Sequence, residues 1–526
     1  MWDQKRKWIM TKYCSVIGAH FLTAPMTFTW TYGNLAPYLN SYVKFSSTSD
    51  FADGNTQWIF YLWLIGNAPG LFLVAPLVKI VGLKRLGIFS MLLCSLALLV
   101  SAWMLHESMI GTCFFMGFLN GVSVGLTASS SLMYVNGWIP EKSSTFTATV
   151  TSSAPIIAVI QNQIVTAYVN PLNLSPDVHL GSSAYFSQPS ILDRVPGAIL
   201  ILAGTIFGIQ AVGFILVTNP PPMNSQTHNR KTKDTVKLYA TFRHQSNNTS
   251  ASIPVKTQKM NKTESNGKEL LRYKGNTCGR DGIDSSATQP ISPHATRTEQ
   301  RFVAEASESN GSTSGEWTPA PTCKPSQALK TRPFWTLWFY AASISFAVII
   351  KNSNYKVFGL LYIPDDQFLT LAGSLIPLIE AICRTVFGAI LDKKILNIKD
   401  CFVFALSSNS VLFAFFYFAP QLHRLAYILL ILGLSASHSA ISVLVASGIF
   451  SMYGSAYFPF LFAVTFMAST ASTVVSAFIV TPILKTLGWF WLFISPSIFS
   501  SLVLGLVIIT EFKPSIGAEA EFGKRS

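Results

Sequence analysis

Residues 367–393 read QFLTLAGSLIPLIEAICRTVFGAILDK. The apolar run from 367 to 391 is long enough to cross a bilayer, because a hydrocarbon core about 30 Å thick takes roughly 20 helical residues. Glu380 lies near the middle of this run, and Glu380, Arg384, Gly388 and Asp392 recur every fourth residue, so one helix face holds all four. A charge at mid-bilayer costs roughly 2.5–3.5 kcal/mol on insertion scales, which argues against an unpaired Glu380 facing lipid. The stretch therefore predicts a spanning helix inside a bundle, its charged face turned inward. The i, i+4 spacing further predicts a Glu380–Arg384 pair in the empty protein.

Working outward, the run is one of a series. Six apolar runs, near residues 13–41, 57–79, 86–105, 109–136, 145–168 and 195–217, precede a long polar stretch. Six more follow, near 334–361, 367–391, 401–419, 425–449, 457–483 and 486–510. Half of the 526 residues are hydrophobic and only 12% are charged, against roughly 25% charged in soluble domains, which excludes an ordinary soluble enzyme. The fold class expected is an all-α integral membrane protein of twelve transmembrane helices in two six-helix bundles. Its parts are an N-terminus (1–12), an N-terminal bundle (13–217), a linker (218–333), a C-terminal bundle (334–510) and a tail (511–526).

The net charge of +14 sits largely in the linker, where 17 Lys and Arg face 9 Asp and Glu. That segment is rich in Ser, Thr, Asn, Gln, Lys and Pro and has no sustained apolar periodicity, so it reads as disordered. It has almost no aromatic residues to stack or read bases, so nucleic acid is not an expected partner. Cys14, Cys94, Cys113, Cys383 and Cys401 lie in or beside apolar runs, Cys278 and Cys323 lie in the linker, and no C-x-x-C spacing occurs. Neither a disulfide framework nor a metal site is expected. No phosphate-cradling loop is present either, so the sequence supports neither ATP-driven transport nor any cofactor.

Orientation follows from the basic residues beside the helix ends. Lys5, Arg6, Lys7, Lys12, Lys79, Lys84, Arg85, Lys142, the linker, Lys393, Lys394 and Lys399 fall on one side, and only Lys44, Arg194, Arg424 and Lys485 on the other. Both termini are therefore expected in the cytosol, with the plasma membrane as the working assignment. The outer loop from Asn170 to Arg194 holds the sequon Asn173-Leu174-Ser175, but Pro176 directly after it argues against glycosylation.

The first helix of each half carries a polar interruption: Thr31-Tyr32-Gly33-Asn34 and Pro37 in helix 1, Lys351 to Lys356 and Gly359 in helix 7. Matching irregularities in two halves point to a transporter's central site, and predict breaks in the outer parts of both helices. Tyr32 and Asn34 thereby join the candidate substrate contacts. Arg384 is the candidate anion-binding cation, since its planar fork matches a carboxylate bidentately. An anion that takes Arg384 from Glu380 leaves Glu380 as the proton acceptor; the competing reading is a permanent salt bridge that stiffens helix 8. Lys351 and Lys356 are further cations for the substrate, although Lys356 equally suits snorkelling to the outer interface. His438, among Ser435, Ser437 and Ser439, is either a proton carrier or a hydrogen-bonded core histidine.

Arg384 followed by Gly388, Asp392 and Lys393 resembles the loop between helices 8 and 9 of the major facilitator superfamily. The acid four residues before the arginine resembles the monocarboxylate transporter branch. Further likenesses are Tyr32-Gly33-Asn34 with Pro37-Tyr38, Trp138-Ile139-Pro140-Glu141-Lys142, Leu192-Asp193-Arg194-Val195-Pro196, Phe334-Trp335, and Asp365-Asp366-Gln367-Phe368-Leu369 with Gly373-Ser374. The set is most similar to the eukaryotic monocarboxylate transporter-like and oxalate/formate antiporter-like carriers, over nearly the whole chain outside the linker.

The resemblance implies two pseudo-symmetric bundles, alternating access, Arg384 as the anion site and Glu380 as the proton-coupling group. It also implies a gate motif of Gly388, Asp392 and Lys393, with Gly82 and Arg85 as the counterpart in the other half. There the pattern survives only as Gly82-Leu83-Lys84-Arg85, with Lys79 where an aspartate is expected. The helix 1 lysine of mammalian-type monocarboxylate transporters is missing from Leu35-Ala36-Pro37, and the helix 11 lysine of bacterial oxalate/formate exchangers is missing from the uncharged Phe458–Ile483 stretch.

The function expected is secondary transport of a small carboxylate with a proton as possible co-substrate, in contact with the lipid bilayer. Proton-independent anion exchange and amino-acid transport stay open, as does a single-span accessory protein. A non-transporting sensor that signals through the linker is the rival of a different class.

Overall fold

The computed structural model describes residues 2–47, 56–139, 146, 149–181, 183–220, 324–393, 395–453 and 457–512. Among these, the chain makes twelve helical passages. Helix 1 comprises Trp2–Leu22 and Phe28–Phe45, joined by a 3-10 turn at Ala24–Thr27. Helices 2 to 6 are Gln57–Val81, Leu83–Glu107, Met109 to Trp138, Ser153–Val169 and Val195–Leu216. Helices 7 to 12 are Arg332–Gly359, Asp366–Asp392, Ile398–Phe416, Arg424–Tyr453, Phe458–Thr486 and Trp489–Ile509. Most of the linker and of the C-terminal tail lies outside the described residues, as do Glu141 and Lys142.

Ten of the twelve are long and apolar enough to cross a membrane. The two that fall short are helices 1 and 5, helix 5 by its length of 17 residues and helix 1 by its polar content. Helix 1 meets helix 7, and helix 5 meets helix 8, along the seam between the halves. There Asn34, Asn162 and Thr166 are buried against polar partners rather than lipid.

Both expected helix breaks are displaced or absent. Helix 1 is continuous through Tyr32, Gly33, Asn34 and Pro37; its interruption lies one to two turns earlier, where Pro25 opens the 3-10 turn. Pro37 is tolerated within the helix, and the Pro37 carbonyl oxygen accepts the Ser41 hydroxyl at 2.7 Å. Helix 7 runs unbroken from Arg332 to Gly359 because the polar side chains of Lys351, Asn354 and Lys356 find partners without unwinding the backbone.

Within the N-terminal half, helices 2 and 4 approach through glycines. Gly66 and Gly70 lie against the Phe118 and Val122 backbone, while Gly121 and Gly125 lie against Trp63 and Asn67. Small residues let the two backbones meet closely. Cys113–Leu119 forms a π-helical turn inside helix 4, beside an apolar groove of about 380 Å³ lined by Trp58, Leu62, Ile110 and Phe114. That groove bears no charged side chain.

The odd-to-even turns between helices 1–2, 3–4, 5–6 and their C-terminal equivalents share one face. The 5–6 connection on it holds a two-stranded hairpin, β1 (Val178–Leu180) antiparallel to β2 (Ser183–Tyr185), with Val178 opposite Tyr185. We call this the hairpin face and the opposite one the termini face. The hairpin is tied to helix 1 by the Phe186 amide, which donates to Ser41 Oγ at 3.0 Å, and by the Phe186 ring against Tyr38.

Candidate functional site

Helix 8 presents Glu380 and Arg384 on one face as expected, but they do not pair with each other. Glu380 is paired across to helix 7, its Oε1 lying 3.2 Å from Lys351 Nζ. Its second oxygen accepts the indole N–H of Trp30, from helix 1 of the other half, at 3.0 Å. Lys351 also donates to Ser435 Oγ of helix 10 at 2.7 Å. The i, i+4 rule missed this because it sees only one helix; a lysine on a neighbouring helix reaches the carboxylate and neutralises it within the bundle.

The consequence falls on Arg384. It lies one turn nearer the termini face, half-buried, and among the described residues it has neither an ion pair nor a hydrogen bond; its Nε is fully buried without an acceptor. A guanidinium lacking a carboxylate in a low-dielectric interior is an open position for an anion.

Lys356 is placed differently from either expected reading. Its Nζ is 2.8 Å from Asp366 Oδ1, an ion pair in which both side chains are fully buried, although the nitrogen lies off the hydrogen-bond direction of that oxygen. It donates instead to Asn34 Oδ1 at 2.8 Å, Thr370 Oγ1 at 2.9 Å and Tyr38 OH at 3.2 Å. Asp366 Oδ2 accepts from the Tyr38 hydroxyl and from Asn170 Nδ2, the latter at 3.1 Å. Thr166 and Thr370 hydroxyls meet at 2.8 Å. Since Asn34, Tyr38, Thr166 and Asn170 belong to one half and Lys356, Asp366 and Thr370 to the other, this network fastens the halves together on the hairpin side.

The seam is extended by Gln163 to Ser374 at 3.0 Å and Asn173 to Asp365 at 3.0 Å, and by a bond between Gln57 and Asn354. Asn173 also accepts from the Gln367 amide at 2.9 Å, so the side chain of the outer sequon is occupied in the seam. At Gly33 the helix 1 and helix 7 backbones come so close that a Cβ would sit on the Asn352 carbonyl oxygen. The described side-chain hydrogen bonds between the halves all lie from the level of Trp30–Glu380 toward the hairpin face.

Tyr32 is turned into its own half. It stacks on Phe60 with ring centroids 5.0 Å apart and shares a hydrogen bond with Thr56 at 3.2 Å. His438 is buried, with Nε2 2.8 Å from Asn409 Oδ1 and the ring stacked on Phe413; the Asn409 amide nitrogen in turn donates to Ser500. At the termini face, Gly82 has φ +84° in the turn between helices 2 and 3, a backbone conformation that suits glycine. Lys84 donates to the Val217 carbonyl at 3.0 Å, Arg85 and Lys393 are exposed, and the side chain of Asp392 is outside the described set. Gly388 has open space where a Cβ would be. Sequence reasoning passed over Trp30 and used Asp366 only as part of a likeness. A buried acid at the first turn of helix 8, facing a lysine near the end of helix 7, was the available signal for Asp366.

The geometry is that of two helical halves, fastened at one face, with charged groups at mid-depth. A family profile for the major facilitator superfamily matches residues 19–477. The chain belongs to the major facilitator superfamily. Among solved structures, it is similar to a D-xylose-proton symporter, with a TM-score of 0.59 and 10% identity over 97% of this chain and 99% of that one. It is also similar to a point mutant of the nucleoside transporter NupG, with a TM-score of 0.58 and 10% identity over 95% and 99% of the two chains. At such identities these likenesses carry the fold alone. A search of curated protein sequences finds no match. Superfamily membership supports an integral membrane protein and a secondary transporter of a small molecule rather than an enzyme.

Proposed function

We propose that this superfamily member carries a small monovalent carboxylate together with a proton, by alternating access between its two halves. The observation that carries the reading is the pairing of charges. Lys351 is paired with Glu380 and Lys356 with Asp366, which leaves Arg384 with one positive charge uncompensated among the described residues. A single free guanidinium suits one carboxylate in bidentate contact.

The same pairing bears on the alternatives. A dicarboxylate needs a second cation, and both buried lysines already have acids. An amino acid needs an acceptor for its ammonium group, and both oxygens of Glu380 are held, by Lys351 and by Trp30. The monocarboxylate-like resemblance of helix 8 points the same way.

Glu380 is the group proposed to take the proton, because it is the carboxylate one helical turn from the bound anion. A proton moved with a monoanion makes the step electrically neutral across the low-dielectric centre. Rocking of the halves then releases the seam around Lys356 and Asp366 and closes the termini side, where Gly388 has open space for an approaching neighbour. With the termini in the cytosol, as the positive-inside pattern expects, the conformation described is closed to the outside.

The test is uptake of radiolabelled lactate, pyruvate, formate and oxalate into proteoliposomes, with and without an inward proton gradient. Proton-stimulated uptake of a monocarboxylate is the expected result. Uptake of oxalate in preference to the three monoanions, or of none of the four, would overturn the substrate class.

A further inference from the structure

Glu380 makes one contact that the charge pairing does not require. Its Oε1 is already held by Lys351 within the C-terminal half, and its Oε2 reaches out of that half to the indole N–H of Trp30 at 3.0 Å. Of the side-chain to side-chain hydrogen bonds described between the halves, this one lies nearest the termini face, and it involves a carboxylate at mid-depth. The neighbouring backbone supports the placement: Asn352 Nδ2 approaches the Thr29 carbonyl oxygen, and Gly33 one turn later allows helix 1 to lie on helix 7. Trp30 is half-buried in the second turn after the Pro25 interruption, at the point where helix 1 leaves its own half and meets the other.

An indole N–H can only donate. It binds an ionised carboxylate more strongly than a neutral carboxyl group, since bonds to a charged acceptor are roughly twice as strong as neutral ones. The strength of this inter-half contact therefore follows the charge on Glu380. The charged and titratable groups that face Glu380 from the elements packed on helix 8 are Lys351 of helix 7, Arg384 of helix 8 itself, and His438 of helix 10, which interacts electrostatically with Lys351. Among the described residues, helix 1 brings the uncharged Trp30 to it, while Asn162 and Gln163 of helix 5 meet Gly373 and Ser374, about two turns nearer the hairpin face.

We propose that Trp30 is the residue through which the N-terminal half senses Glu380: the Trp30–Glu380 bond latches the halves while Glu380 is ionised and loosens when it takes a proton. Trp30 is a positioning residue in this scheme, acting through Glu380. The proposal rests on the reading of Glu380 as the proton-coupling group, and the test separates the two.

Spin labels are placed at Ile80→Cys and Ile395→Cys, exposed positions near the termini face in opposite halves. The full chain, with its seven native cysteines replaced by alanine, is reconstituted into lipid, and the distance distribution is recorded at pH 8 and pH 5. The parent protein is expected to gain a second distance population at pH 5. Glu380→Gln is expected to show that population at both pH values. So is Trp30→Phe, which keeps an aromatic ring but loses the donor. Trp30→His places a ring N–H at about the distance of the indole nitrogen from Cβ, and is expected to restore the parent distribution at pH 8, which a fold defect would not do. If Glu380→Gln still responds to pH, the proton-coupling reading of Glu380 fails. If Glu380→Gln abolishes the response while Trp30→Phe keeps it, Glu380 stands and the Trp30 latch is overturned. Failure of Trp30→His to restore the pH 8 distribution also counts against the latch.

Discussion

The halves approach closely at Gly33, and Gly33→Ala tests that approach directly. The added methyl group would lie 2.7 Å from Tyr355 Cε1 and on the Asn352 carbonyl oxygen, both in helix 7 of the other half. Carbon atoms rest at about 3.5–4.0 Å, so helix 1 and helix 7 must separate by about 1 Å at this level. Neither half need repack internally to allow this, because the clash lies between them. Overpacking of this kind costs about 1–3 kcal/mol. Since it burdens only the conformation closed at the hairpin face, it shifts the ratio of open to closed protein by roughly 5- to 150-fold. The assay is the distance between spin labels at Leu172→Cys and Leu422→Cys, both strongly exposed on the hairpin face in opposite halves. Gly33→Ala is expected to move the distribution to longer distances while the melting temperature stays within about 2 °C of the parent. An unchanged distribution would refute the close seam. A large loss of melting temperature without a distance change would show that the cost falls within a half and not between them.

Two further substitutions address the buried charges. Lys356→Met leaves Asp366 buried without its cation, a change that costs about 3–5 kcal/mol when one partner of a buried pair is removed; it is expected to lower the melting temperature or lengthen the Leu172–Leu422 distance, and Lys356→Met with Asp366→Asn is expected to recover most of the loss. A single mutant that behaves as the parent in both measurements contradicts the pairing. Arg384→Lys keeps the charge and loses the planar fork, so the KM for the transported monocarboxylate is expected to rise about tenfold with Vmax little changed, the signature of about 1.4 kcal/mol of lost binding; an unchanged KM would mean that no bidentate contact forms there.

The helices were legible because lipid imposes a simple requirement, a long apolar run for each crossing. Helix 1 satisfies it least, and its Asn34 and Tyr38 lie in the polar seam, so its weak hydropathy was itself a structural signal. The breaks expected in helices 1 and 7 were a different matter. Polar residues in a span can be accommodated by unwinding the backbone or by partners on other helices, and a sequence does not distinguish these. Lys351 and Lys356 found Glu380 and Asp366, and helix 7 remained whole.

The charged face of helix 8 was readable from its four-residue spacing, but the partner of Glu380 was not. Spacing rules register neighbours along one helix, whereas Lys351 and Trp30 reach Glu380 from two others, one in each half. The same limitation hid the network around Asp366, whose partners Tyr38 and Asn170 come from helix 1 and the loop after helix 5. Buried charge in a span had to be paired somewhere; only the packing of helices decided which cation was left over.

That remaining cation is the centre of the account, and binding tests it without requiring transport. Saturable binding of radiolabelled lactate to the purified chain is compared with Arg384→Ala and with Lys351→Met plus Glu380→Gln, which removes a neutral pair and leaves the arginine. The account predicts that Arg384→Ala abolishes binding, while the double variant retains it. Binding that survives in Arg384→Ala and is lost in the double variant would contradict the assignment of the anion to Arg384.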